Sequence, residues 1–155
     1  GARGEQHVGL TKLVRSVVRG VRAKDYAGQV AAFYQWTCRH YAYVRDPVHV
    51  EYVQDPVAFL QNGMIGDCDE VSEFLAAAGM ILGNPARFVT AGFKATPEPE
   101  MTHVFTELWI SRCNQWLTVD PVAGPMTDAM RSAMVWRGNY PLDADMGKVE
   151  VFRCR

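Results

Sequence analysis

The sequence predicts an α+β fold in which N-terminal helices and one central helix pack against an antiparallel sheet. Three observations carry this. Through the first half of the chain, apolar residues recur at spacings of three and four, the period of amphipathic helices. Beyond Gly83 and Pro85 that period gives way to alternation and short apolar runs, which is the pattern of strands. The chain has 155 residues, 48% of them hydrophobic, enough to bury one sizeable core and too few for two. Residues 1–155 therefore read as a single domain, with its core at roughly 25–124.

The first helix is expected over Val8 to Val21, where Leu10, Leu13, Val14, Val17, Val18 and Val21 form the apolar stripe. A second is expected from about Asp25, a suitable cap, to Tyr41, with Val30, Phe33, Tyr34, Thr37 and Tyr41 on one face. Between Val44 and Gly66 the breaker pairs Asp46-Pro47, Asp55-Pro56 and Asn62-Gly63 indicate an ordered loop with one short helical turn. The central helix then runs from Cys68 to Leu82. Val71, Phe74, Leu75, Ala78 and Leu82 give it a continuous buried face, and Asp67 with Glu70 supplies a start resembling a capping box. Gly83 and Pro85 stop it. Three strands follow at Arg87 to Phe93, His103 to Ile110 and Trp116 to Val119, separated by the loop Lys94 to Met101 and the tight connection Ser111 to Gln115. Further on, Met126 to Trp136 reads as helical and Lys148 to Arg153 as a short final strand.

Charge excludes some partners. With 16 Lys and Arg against 17 Asp and Glu, no basic field is present to hold nucleic acid or an anionic membrane. No apolar run approaches the roughly 20 residues of a membrane-spanning helix, and the first residues lack the apolar stretch and cleavage site of a signal peptide. A soluble cytoplasmic protein is the expectation. The chain opens on Gly1-Ala2-Arg3, so that expectation concerns these residues and not any that precede them. Oligomeric state is not legible.

The four cysteines, Cys38, Cys68, Cys113 and Cys154, form no C-x-x-C pair, so neither a zinc ribbon nor a thioredoxin-like site is expected, and no metal or cofactor is called for. A disulfide framework is not expected in a domain that can rely on its core. Cys68 stands apart because it opens a helix, where the dipole and unpaired N–H groups favour a thiolate. A lone helical cysteine is more often inert packing, and Asp67, Asp69 and Glu70 oppose thiolate formation, so a nearby imidazolium would be needed. His103 answers that need at the entrance of a strand, with Phe105 and Trp109 on the same face to exclude water. His7, His40 and His49 have no comparable position.

Asp120 closes the following strand in Trp116-Leu117-Thr118-Val119-Asp120-Pro121. If strands 103–110 and 116–119 form a hairpin centred near Arg112 to Cys113, paired residue numbers sum to about 223 to 225. Asp120 then lies opposite His103 to Phe105, where a carboxylate can accept from the imidazole N–H and fix its tautomer.

The motifs Gly66-Asp67-Cys68-Asp69-Glu70, Thr102-His103-Val104-Phe105-Thr106-Glu107 and Trp116-Leu117-Thr118-Val119-Asp120-Pro121 resemble, in order and spacing, those of the transglutaminase-like superfamily. The resemblance covers roughly residues 30 to 124. Within the superfamily, the form around Cys68 and the preceding Arg45-Asp46-Pro47 loop are most similar to small bacterial and bacteriophage-associated members. It implies a papain-like core and thiol-dependent acyl transfer on an amide, as cysteine peptidase, amidase or transglutaminase, with a Cys68–His103–Asp120 triad and a protein or peptide substrate. The implied oxyanion hole uses the Cys68 backbone N–H and an aromatic donor, for which Tyr43 and Tyr41 are the candidates. Phe105 departs from the pattern, which often has tryptophan there, while preserving an apolar wall. An alternative expectation is a catalytically silent module with a structural or phage-assembly role, its interaction face drawn from Trp136, Tyr140, Met126, Met130 and Met134.

Overall fold

The computed structural model of the chain describes residues 2–45, 54–92, 103–122, 136–141 and 149–151. Helix α1 spans Ala2–Val17 and buries Leu10 and Val14. It ends earlier than its apolar stripe. Arg19 and Val21 bond three residues back, to Ser16 and Val18, so the stripe continues through a tight turn that still buries Val18. Helix α2, Tyr26–His40, begins where expected: the Asp25 side chain accepts from the Gly28 N–H at 2.9 Å. Its buried stripe of Val30, Phe33, Tyr34 and Thr37 matches the sequence pattern.

The segment before Cys68 has more order than its breakers suggested. A two-residue strand β1, Ala42–Tyr43, leads out of α2. Helix α3, Pro56–Gln61, is the expected short turn, capped by Asp55 with Pro56 in its first turn, where the missing N–H costs nothing. Strand β2, Ile65–Gly66, pairs in parallel with β1, Ala42 opposite Ile65 and Tyr43 opposite Gly66. Two residues per strand are too few to leave a periodic trace.

Helix α4, Cys68–Ile81, lies across the main sheet. The approach is close: a Cβ at Gly79 would stand 2.3 Å from Leu108 Cδ2, so glycine is what lets helix and strand meet here. The sheet contains β3, Ala86–Gly92; β4, His103–Ile110; β5, Gln115–Val119; β6, Trp136–Pro141; and β7, Val149–Val151, in the order β6-β3-β4-β5-β7. Three of its four pairings are antiparallel; β7 joins β5 in parallel, so the sheet is mixed at that edge. Trp136, read from sequence as the end of a helix, instead opens β6, and Tyr140 pairs with Phe88. The rest of that expected helix, with Met126, Met130 and Met134, lies outside the described residues, as do the whole of the expected loop Lys94 to Met101, the flanks of the final strand, and His49 and Cys154.

One sheet face joins Leu108, Ile110, Leu117, Val119 and Ala86 to the helices in a continuous apolar core. Alternation sends Phe105, Glu107, Trp109, Trp116 and Arg87 to the other face, and these too are buried. Among the described residues no helix is long and apolar enough to cross a membrane. Cys38, on the last turn of α2, is disulfide-bonded, which the expectation of core-only stabilisation did not foresee; Cys68 and Cys113 carry free thiols.

Candidate active site

Cys68 is the first residue of α4 and is partly exposed. The Asp67 carboxylate caps the helix by accepting from the N–H groups of Asp69 at 3.0 Å and Glu70 at 3.5 Å. The Cys68 N–H is one of the four that a helix start leaves without an intrahelical partner, and the Asp67 cap bonds do not take it up.

Two hydrogen bonds tie the second turn of α4 to β4 one residue from His103. Ser72 Oγ donates to the Val104 carbonyl at 3.2 Å, and Thr106 Oγ1 donates to the Ser72 carbonyl at 2.6 Å. Helix and strand are thus locked in register, which fixes the thiol against the imidazole. The hairpin supplies the third residue. Strands β4 and β5 pair with residue numbers that sum to 225, from Thr106 opposite Val119 to Ile110 opposite Gln115. Continued by one residue, this register sets Asp120 opposite Phe105 and diagonal to His103 on the same face, a separation that two polar side chains can bridge.

They do so: His103 Nε2–H donates to Asp120 Oδ2 at 2.7 Å, and the second carboxylate oxygen, Oδ1, accepts from the Val122 N–H at 3.1 Å. Because Nε2 is committed to Asp120, Nδ1 is the ring nitrogen left free of the carboxylate, and the Cys68 thiol is close enough to act on the same ring. The Phe105 ring lies 5.8 Å from the imidazole, the apolar wall expected of it. Burial opposes a charge on His103, but the hydrogen bonds from Asp120 and Cys68, together with their charges, outweigh it and push the imidazole pKa up to about 10. The shift is in the direction that the acidic surroundings of Cys68 require, toward an imidazolium.

Linkage makes this testable. With a folded pKa near 10 and an unfolded one of about 6.5, protonated His103 stabilises the fold fully below about pH 6.5, and the contribution fades as pH rises to 10. The melting-temperature gap between the native chain and His103→Gln is expected to narrow steadily across that window. A gap independent of pH would show that the imidazole is not held charged.

The two aromatic candidates separate. Tyr41 donates its hydroxyl to the Gly66 carbonyl at 2.8 Å, and burial, then the charges of Cys68 and Asp67, raise its pKa, so it stays a protonated brace for the turn before the nucleophile. Tyr43 is half exposed at the surface beside it. Sequence reasoning missed a second brace. Glu70, read as half of a capping box, turns inward and is fully buried; its carboxylate accepts from Gln54 Nε2, whose amide also donates to the Ile65 carbonyl at 3.2 Å, and Asn62 Nδ2 donates to Gln54 Oε1 at 2.5 Å. The only sequence signal was a run of polar residues around Asp55-Pro56 and Asn62-Gly63, which reads as a solvated loop. A methyl group at Gly66 would stand 2.7 Å from Glu70 Oε2. Gly66→Ala is expected to displace that carboxylate, destabilise the fold by about 1–3 kcal/mol in a urea titration and slow alkylation of Cys68.

A cavity of about 420 Å³ lies elsewhere, between Arg22 to Ala27 and the β4–β5 turn at Arg112 and Cys113. It is at the opposite end of β4 from His103 and has no part in this site. Among the described residues no three His, Cys, Asp or Glu side chains converge as metal ligands.

The sequence profile of the Transglutaminase-like superfamily matches residues 11–121. No curated protein matches the chain. Among solved structures, LapG of Legionella pneumophila, in an EGTA-treated form, superposes with a TM-score of 0.59 at 16% identity, over 92% of this chain and 89% of LapG. A candidate cysteine protease from Cytophaga hutchinsonii superposes with a TM-score of 0.57 at 17% identity over 93% of this chain. The chain spans about half of that protein, 54% of its length. At such identities the likeness is one of fold.

Proposed function

The chain belongs to the transglutaminase-like superfamily, and from that premise we propose that it catalyses thiol-dependent acyl transfer on an amide bond of a peptide or protein, with Cys68 as nucleophile, His103 as acid and base, and Asp120 as the orienting carboxylate. One observation supports the reading above others: the His103 ring is bound at Nε2 by a buried carboxylate 2.7 Å away and stands within electrostatic reach of a thiol at a helix N-terminus.

In this reading the Cys68 thiolate attacks the amide carbonyl carbon, forming the S–C bond while the carbonyl π electrons pass to oxygen. The Cys68 N–H, left over by the Asp67 cap, stabilises that oxyanion. The imidazolium gives its Nδ1 proton to the leaving nitrogen as the C–N bond breaks, and a thioester remains. Neutral His103 then takes a proton from the incoming water or amine, and collapse of the second tetrahedral intermediate returns the thiolate. Asp120 never moves a proton; it keeps Nε2–H engaged, so that Nδ1 alone faces the reaction.

The two free thiols among the described residues provide the test. Under native conditions at pH 6, iodoacetamide is expected to alkylate Cys68 at least tenfold faster than Cys113, although Cys113 is the more exposed, because only Cys68 is held beside an imidazolium. Peptide mapping by mass spectrometry reads both rates. Equal rates would remove the nucleophile from this proposal.

A further inference from the structure

Strand β2 runs through Asp67 directly into Cys68, so the β1–β2 ribbon borders the thiol. Its surface is unusually apolar. Tyr43, Val44 and Ile65 are 52%, 53% and 46% exposed, and among the described residues the one other large apolar side chain so exposed is Met80, near the far end of α4. Single exposed apolar residues need no explanation, but three on a short ribbon that runs into a candidate nucleophile give both of its faces an apolar side chain to offer a partner. Tyr43 also acts electrostatically on Tyr41, as Cys68 and Asp67 do, which sets the exposed phenol in the same neighbourhood as the thiol.

The ribbon has one open edge. The Ala42 and Val44 N–H groups donate to the carbonyls of Met64 at 3.0 Å and Gly66 at 2.9 Å, so alternation turns the N–H and carbonyl of Tyr43 to the outer side. Among the described residues no strand pairs there, because the sheet of β1 and β2 has two members. The other edge is closed, since Gln54 Nε2 donates to the Ile65 carbonyl. Register assigns the side chains to faces: Ile65 pairs with Ala42 and so shares a face with Val44, while Tyr43 lies on the opposite face.

We propose that this ribbon selects the substrate of Cys68: an extended, apolar, uncharged peptide segment adds to the outer edge of β1 through the Tyr43 N–H and carbonyl. Its alternate side chains pack against Val44 and Ile65 on one face and against Tyr43 on the other. The apolar pairs supply selectivity, because a carboxylate set against Val44 or Ile65 loses hydration without gaining a partner. The assignment of this peptide as substrate rests on the acyl-transfer reading; its binding does not.

The test uses the Cys68→Ala chain, which cannot consume the peptide, and two fluorescent decapeptides that differ only in a central Val-Leu-Val or Asp-Ser-Asp run. Fluorescence anisotropy is expected to give at least tenfold tighter binding of the apolar peptide. Val44→Asp with Ile65→Asp in the same background is expected to reduce that preference to less than twofold. Both positions are exposed, so the melting temperature should hold; if it falls, Val44→Ser with Ile65→Ser replaces the pair and carries the same expectation. Equal binding of the two peptides, or a tenfold preference that survives the substitutions, overturns the proposal. Selective binding with Cys68 of the native chain inert to iodoacetamide would leave the surface standing and remove the thiol chemistry, whereas a reactive Cys68 with no peptide preference would remove the surface alone.

Discussion

Arg87→Met is expected to destabilise the protein by about 3–5 kcal/mol, because it strands a carboxylate at the centre of the sheet. Arg87 and Glu107 are 3% and 0% exposed. The guanidinium donates through Nε at 2.9 Å, with Nη2 at 2.8 Å from the same carboxylate oxygen, Oε1. Thr118 donates to the other oxygen at 2.9 Å, and the Arg87 guanidinium stacks 4.1 Å from the centre of the Trp116 ring. Methionine fills the space of the arginine stem without its charge, so the cost falls on the uncompensated Glu107. The sheet is affected at its middle, since Arg87 pairs with Glu107 across β3 and β4, the strands that carry His103. For a chain of this size the expected loss corresponds to a drop in melting temperature of roughly 10 °C or more. Replacing both partners, Arg87→Met with Glu107→Leu, is expected to recover most of the loss, since an apolar pair leaves no charge buried. A single-variant cost below about 1 kcal/mol in urea titration would mean that water reaches the pair and that it braces nothing.

His103→Ala is expected to slow acyl transfer by about 10²–10⁴-fold, the range that a positioned acid and base contributes. Two losses combine. The thiol loses the imidazolium that favours its ionised form among acidic neighbours, and the leaving amine loses its proton donor. Alkylation of Cys68 by iodoacetamide, which needs the first function alone, should fall by less than turnover of an amide does. In the native chain the alkaline limb of activity is expected near pH 10, where His103 gives up its proton; Asp120→Ala removes the hydrogen bond and the charge that raise that value and should move the limb toward neutrality. A pH profile unmoved by Asp120→Ala would exclude the carboxylate from orienting the imidazole.

Much of the candidate site was legible in the chain because two local rules converge on it. The apolar ladder from Val71 to Leu75 and Ala78 sets Cys68 at a helix start, and a period of two with a short turn sets Asp120 across from Phe105, within reach of His103. The register fell at 225, inside the expected range, since hairpin pairing is decided by the turn between Ile110 and Gln115 and by little else. Helix ends and edges were read less well. Val21 continues the stripe of α1 without continuing the helix, and Trp136 belongs to a strand although the segment leading to it reads as helical. Period and propensity sense neighbours within a few residues, while partnership across a sheet is settled by segments far apart in sequence.

The sequence by itself determined the class of fold, the position of Cys68 at a helix start and the side of the hairpin that His103 and Asp120 share, because each follows from spacing along one or two adjacent elements. Only the tertiary structure decided which nitrogen of His103 is held by Asp120, that Tyr41 braces the Gly66 carbonyl, that Glu70 turns inward to Gln54, and that Tyr43, Val44 and Ile65 stand exposed on the ribbon leading to Cys68. Those outcomes depend on burial and on contacts between segments that no local pattern joins: hydrogen bonds lose their competition with water only once packing has closed around them.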